Sequence, residues 1–195
     1  MTTQPIEPLA ISPEETAAQD FEQTSGAGRL NDAAIPSRQY KVKYVPTGTG
    51  ASYWGPGGLM TFIITGKDTG GAFFLAEMSV LPGGGPPPHI HSREDESFHV
   101  LEGTLTVRVG ENTITASAGD FAFLPRGIAH SFKNNGDVAA KALVLVTPAG
   151  LENYFAEVFD PATDRSVAPP PPGKELIARA LAASPRYGLV LLPPA

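Results

Sequence analysis

The strongest constraint on the fold is a run of short strand-like segments, cut at close intervals by Gly, Pro, Asn and Asp. Between Ala72 and Pro148 the chain reads AFFLAEMSV, HIH, ESFHVLEG, TLTVRVG, NTITASAG, DFAFLP, AHSFKN and AAKALVLVTP. The pieces are rich in β-branched and aromatic residues and end at turn formers. QYKVKYV (39–45), with its period-two alternation, and LMTFIITG (59–66) read the same way. Many short strands at this spacing build a sandwich or a small barrel. The 21 glycines and 20 prolines match the number of turns such a fold needs. The expected fold class is all-β.

The ends differ from this middle. Residues 1–36 carry Glu7, Glu14, Glu15, Asp20, Glu22 and Asp32 against Arg29 alone, and read as an acidic arm with a short helix starting at Ser12. After Pro148, LENYFAEVFD places Leu151, Tyr154, Phe155 and Phe159 at helical spacing. GKELIARALAA sets Leu176, Ala180 and Leu181 on one side of a second helix. Between them APPPPG reads as extended polyproline. YGLVLLPPA reads as a closing strand, set against the outside of the barrel or at its mouth. The expected organisation is an arm at 1–36, a barrel at 37–148, and a helical segment with a closing strand at 149–195.

Charge and cysteine content narrow the function classes. A net charge of −6 without a basic patch argues against nucleic acid as a partner. The absence of cysteine removes disulfides, thiolate nucleophiles and Cys-based metal sites, and fits a reducing cytoplasm. MTTQPIEPLAISPEE lacks the basic and apolar regions of a secretory signal, and no run reaches the ~18 apolar residues of a membrane helix.

Three of the four histidines fall within PPPHIHSREDESFHV, residues 86–100. On a strand, His89 and His91 share a face. Glu96 lies beyond a turn at Ser92–Asp95 and returns to that face. His130 opens AHSFKN, delivered by a turn at Pro125 and Gly127. Three imidazoles and one carboxylate converging inside a barrel suit one divalent transition metal: Fe, Mn, Ni, Co, Cu or Zn. Four such ligands leave coordination positions open, as a catalytic site requires. The alternation turns His99 away from the other three, into a structural or interface role.

GGGPPPHIHSREDESFHVLEG and GDFAFLPRGIAHSFKN resemble the two halves of the cupin superfamily signature. The resemblance covers residues 75–147 closely and implies a jelly-roll β-barrel with metal ligands at His89, His91, Glu96 and His130. One motif pair implies a single cupin barrel. Motif spacing favours Glu96 over Glu94 and Asp95 as the acidic ligand, leaving the latter two as solvated loop charges. PPPHIH, the helix after the barrel and YGLVLLPP resemble single-domain quercetin 2,3-dioxygenase-like cupins.

That narrower resemblance implies a metal-dependent dioxygenase acting on a small aromatic or enol-containing substrate with O₂, with Glu96 as both ligand and general base. The alternatives are a non-oxidative metal-dependent cupin enzyme, an isomerase or decarboxylase, and a small-ligand-binding cupin without turnover. Candidate pocket residues are Phe62, Phe74, Phe123, Phe132, Tyr154 and Phe155, with core packing as the competing role. GTGASYWGPGG (48–58) is a candidate lid carrying Tyr53 and Trp54, or a plain loop with a packed Trp. The resemblance also implies a homodimer, by pairing of edge strands.

Overall fold

In the computed structural model of the chain, residues 42–55, 57–165, 167 and 173–193 are described. The expected acidic arm, its helix at Ser12 and residues 168–172 of the proline run lie outside them. The described elements in chain order are β1 (Ser52–Gly55), β2 (Gly58–Ile64), α1 (Gly66–Thr69), β3 (Phe74–Val80), β4 (His89–His91), β5 (Asp95–Glu102), β6 (Thr104–Val109), β7 (Asn112–Ser117), β8 (Phe121–Leu124), β9 (His130–Lys133), β10 (Ala140–Thr147), α2 (Leu151–Val158), β11 (Asp160–Pro161), α3 (Lys174–Ala183) and β12 (Leu189–Leu191).

The strands pair antiparallel in two sheets. One has the order β11-β1-β2-β3-β10-β5-β8 and the other β12-β4-β9-β6-β7. The chain passes between the sheets at β3–β4, β4–β5, β5–β6, β7–β8, β8–β9, β9–β10 and β11–β12, which gives the expected jelly-roll. Alternation decides what lies between them. Phe74, Ala76, Met78 and Val80 on β3 are buried, as are Ala140, Ala142, Val144 and Val146 on β10. Their register sets large against small, Val146 with Phe74 and Ala142 with Met78, so the two inner rows interlock. Phe98, Leu105 and Leu124 complete the centre with no exposed surface. Burying a side chain the size of Phe98 stabilises the fold by roughly 2–3 kcal/mol.

Both expected C-terminal helices form. α2 turns Leu151, Tyr154, Phe155 and Val158 inward, and the Phe155 ring stacks on Phe159 at 5.5 Å. α3 leans Leu176 and Ala180 on the core, whereas Leu181 is 58% exposed. None of the described helices is long and apolar enough to cross a membrane.

Two expectations fail here. Residues 42–45 of the proposed QYKVKYV strand form no ladder among the described residues, and Val42 and Tyr44 stand 99% and 84% exposed. Their alternation has no partner strand. Residues 52–55 of the proposed lid are strand β1, hydrogen-bonded between β2 and β11, with the Tyr53 ring 4.8 Å from Phe62.

The loop that leads into β4 is fixed by close contact and by one buried side chain. Gly85 has φ +141°, and a Cβ there would lie 2.1 Å from the Phe132 carbonyl on β9. Only glycine permits that approach. Asn134 is fully buried. Its Nδ2 donates to the carbonyls of Val80 and Val138, both at 2.8 Å, and its Oδ1 accepts from the Gly136 amide at 2.9 Å. Its backbone amide donates to Gly84 and its carbonyl accepts from Gly83. Asn134→Ala removes the partner of the buried Val80 carbonyl and of two part-buried groups, the Val138 carbonyl and the Gly136 amide, at about 1–3 kcal/mol for a buried group that finds no other partner. We expect the midpoint of thermal unfolding to fall by about 5 °C or more, measured by calorimetry.

Candidate metal centre

The four predicted residues meet between the sheets. On β4, His89 and His91 face inward and Ile90 outward. β4 pairs with β9 on one side, His89 opposite His130, and with β12 on the other, His89 opposite Leu191 and His91 opposite Leu189. On β5, Glu96 points inward in phase with Phe98 and Val100, flanked by Leu124 and Val146. His89, His91, Glu96 and His130 are all buried, and one nitrogen or oxygen from each lies within 4.8 Å of the others.

The hydrogen bonds set two of the tautomers. His89 Nδ1 lies 2.9 Å from the Pro87 carbonyl and His130 Nδ1 lies 2.9 Å from the Ile128 carbonyl. A carbonyl only accepts, so each Nδ1 carries a proton, and a ring in its neutral form presents a lone pair at Nε2. His130 Nε2 then faces Glu96 Oε2 at 3.2 Å. Two acceptors at that distance repel unless a cation, a proton or a metal, lies with them. His91 Nε2, 3.7 Å from the same oxygen, has no hydrogen-bond partner at all. Three imidazole lone pairs and a carboxylate turned to one point are a donor set for a transition metal. The residues present fit such an ion.

Burial is the main force on the His89 imidazole. It lowers the pKa from 6.5 to about 4, helped by His130 and His91 and opposed by Glu96. For Glu96, burial pushes the carboxyl up, but the hydrogen bond with His130 and the fields of the three imidazoles outweigh it, so it lies below its usual value.

A cavity of about 650 Å³ opens onto His89, His91 and Glu96. Of the expected pocket residues, Phe132, Tyr154 and Phe155 line it. Phe62 and Phe74 do not; they are buried in the core, edge to face at 4.9 Å. Phe123 is 57% exposed on the outer side of β8, where Ala122 and Leu124 take the inner face. Met60, Met78 and Val144 form wall that the aromatic residues had been expected to supply. They sit in phase with Phe62, Phe74 and Val146, and that alternation was the available signal. Leu189 and Leu191, from the closing strand, line the mouth. His99 faces away from the cluster, opposite Phe121 and Leu143.

The two acids expected to be solvated behave differently. Asp95 holds Arg126 through both carboxylate oxygens, at 2.6 and 3.1 Å, and the guanidinium draws its pKa down to about 2. This pair ties the start of β5 to the turn before His130. Glu94 is only 5% exposed, with Oε2 3.8 Å from His91 Nδ1. No strand period announces it, because a bend at Ser92–Arg93 turns it inward.

Both resolved shifts in the cluster have the same consequence. The unfolded chain binds a proton at His89 below pH 6.5, whereas the folded metal-free protein binds it only near pH 4. Stability is complete above pH 6.5 and is lost as pH falls through that window. Glu96 adds to the loss lower down. The urea midpoint of metal-free protein should fall between pH 6.5 and 4, and the fall should be shallower in His89→Gln.

Comparison with known proteins agrees with this architecture. The family described as Cupin domain (Cupin_2) matches residues 76–146. Tetracenomycin polyketide synthase protein TcmJ of Streptomyces glaucescens is 27% identical over 119 residues, which covers 60% of this chain and 80% of that protein. Quercetin 2,3-dioxygenase of Aspergillus japonicus is 30% identical over 118 residues, covering 57% of this chain and 33% of that protein. The chain spans 34% and 51% of the length of two germin-like proteins that it also matches. Among solved structures, KdgF from Halomonas sp. shares the fold at 16% identity, with a TM-score of 0.51 over 57% of this chain and 99% of that one. Residues 76–146, from β3 to β10, match the cupin domain family, and the two-sheet barrel agrees with that match.

Proposed function

We propose that the chain is a quercetinase-like, metal-dependent dioxygenase acting on a neutral aromatic or enol-containing substrate with O₂. The observation that carries this reading is the cavity. Among the described residues its wall is apolar apart from Ser79, Tyr154 and the metal cluster itself. Tyr154 already shares its hydroxyl with Ser184, at 3.4 Å. Such a wall favours a flat, apolar ligand through area removed from water, and gives an anionic substrate no compensation for its lost hydration. The volume suits a ligand of a few fused or linked rings. The quercetin dioxygenase relative supports the same substrate class.

His89, His91, Glu96 and His130 would hold one divalent transition metal. Bound there, it would supply Lewis acidity toward a substrate hydroxyl and a redox route for O₂. The chain's own residues do the rest. Glu96 Oε2 accepts the proton of the substrate hydroxyl and leaves the electron-rich anion. Met60, Met78, Val144 and Phe132 hold the rings and exclude water. Phe155 and Phe159, stacked on each other, close the side formed by α2.

The test is O₂ consumption by protein stripped of metal and reloaded separately with Fe(II), Mn, Co, Ni and Cu, with a flavonol supplied. We expect metal-dependent uptake that His89→Ala reduces at least 100-fold. Stoichiometric metal binding without uptake would overturn the oxidative reading. One observation favours a second reading, non-oxidative turnover of a polyketide-like substrate: the chain covers 80% of its polyketide synthase relative but only 33% of the quercetin dioxygenase. Flavonol-independent turnover of an aromatic polyketide without O₂ would select it.

We further propose a homodimer. β8 ends its sheet among the described residues, and it exposes Phe121 and Phe123 at 63% and 57%. A second copy pairing there would satisfy the edge and cover both rings. Light scattering should give twice the 20.4 kDa chain mass, and Phe123→Asp should shift it toward the monomer.

A further inference from the structure

Each imidazole in the cluster needs something that fixes its ring and its tautomer. For His89 and His130 the backbone does this, through the carbonyl of the residue two places earlier. His91 departs from the pattern. Its Nδ1 accepts or donates no hydrogen bond, and neither does Glu94 Oε2, although the two atoms lie 3.8 Å apart and both are buried. The separation exceeds a hydrogen bond by only a few tenths of an ångström.

The surroundings keep Glu94 in place. Ser92 donates to the Gly188 carbonyl through its amide and its hydroxyl, and Arg93 donates to the Arg186 carbonyl. The bend that turns Glu94 inward is therefore held by the segment between α3 and β12. Arg126, whose charge reaches Glu94, is engaged by Asp95. A buried carboxylate left without a partner costs several kcal/mol. The one unsatisfied donor site within reach is His91 Nδ1.

We propose that Glu94 is the positioning residue for His91. It accepts the Nδ1 proton, so that Nε2 presents its lone pair to the cluster. This rests on the metal-centre reading above.

The test compares wild-type protein with Glu94→Ala, Glu94→Gln and His130→Ala. Co(II) and Zn(II) affinities are read by competition with a chromophoric chelator, the Co(II) absorption spectrum is recorded, and metal-free unfolding is followed by calorimetry. We expect Glu94→Ala to bind metal 10–100-fold more weakly with a shifted Co(II) spectrum. Its metal-free unfolding temperature should be unchanged or higher, because the cost of burying a carboxylate can equal or exceed what its hydrogen bond returns. Glu94→Gln keeps an acceptor oxygen and should recover most of the affinity and the wild-type spectrum. Wild-type affinity and spectrum in both Glu94 variants, with His130→Ala deficient, would overturn the role of Glu94 alone. A lower metal-free unfolding temperature in Glu94→Gln with unchanged affinity would overturn it too, by making the residue structural. Undiminished binding in His130→Ala would instead bring down the metal centre itself.

Discussion

One register holds the site together: His89 on β4 lies directly opposite His130 on β9. A one-residue slip in either strand would turn its imidazoles out of the barrel, because strand side chains alternate faces. β4 is only three residues long, so its own length cannot enforce that register. The neighbours enforce it. β12 clamps one edge of β4, β6 clamps the far edge of β9, and Gly85 brings the incoming loop onto the Phe132 carbonyl. Asn134 then ties that loop to the end of β9. The metal cluster is in this sense a readout of ladder geometry, made by residues that never touch it.

The barrel accepts an electrostatic cost at its centre. Four ionisable side chains are removed from water in a space otherwise filled by Phe98, Val144 and Leu124. Burial favours the neutral form of His89, which keeps the cost moderate, and backbone carbonyls orient two of the rings. What remains uncompensated is local: the facing acceptors of His130 and Glu96, and the unpartnered atoms of His91 and Glu94. An apolar wall beside them raises the strength of every charge interaction in the cavity. The same apolar wall therefore sharpens the pull on a cation.

The sequence made the regular parts of this legible and left the irregular parts hidden. His89, His91, Glu96 and His130 could be read because alternation gives the face and turn residues give the crossing points. Phe123 was misplaced because alternation gives parity but not direction. On β8 the inner face belongs to Ala122 and Leu124, and the larger rings lie outside. The 48–58 stretch read as a lid because its strand partner in β11, near Asp160, lies about 100 residues away, beyond any local signal. The described part of QYKVKYV, residues 42–45, shows the converse, a strand pattern that finds no partner among the described residues. Glu94 owes its burial to a bend held by Gly188, and nothing periodic encodes that contact.

The pairing of β12 with β4 has a consequence for synthesis. Leu189 and His91 are neighbours in the sheet but emerge from the ribosome far apart. At roughly 5–20 residues per second, β4 waits about 5–20 s before its outer partner appears. During that time a histidine-bearing strand has an open edge. Pro86, Pro87 and Pro88 stand immediately ahead of it, and proline cannot donate to a ladder. Three residues that cannot donate therefore border that edge on its N-terminal side, and in the finished fold Pro88 accepts from the amide of Leu192.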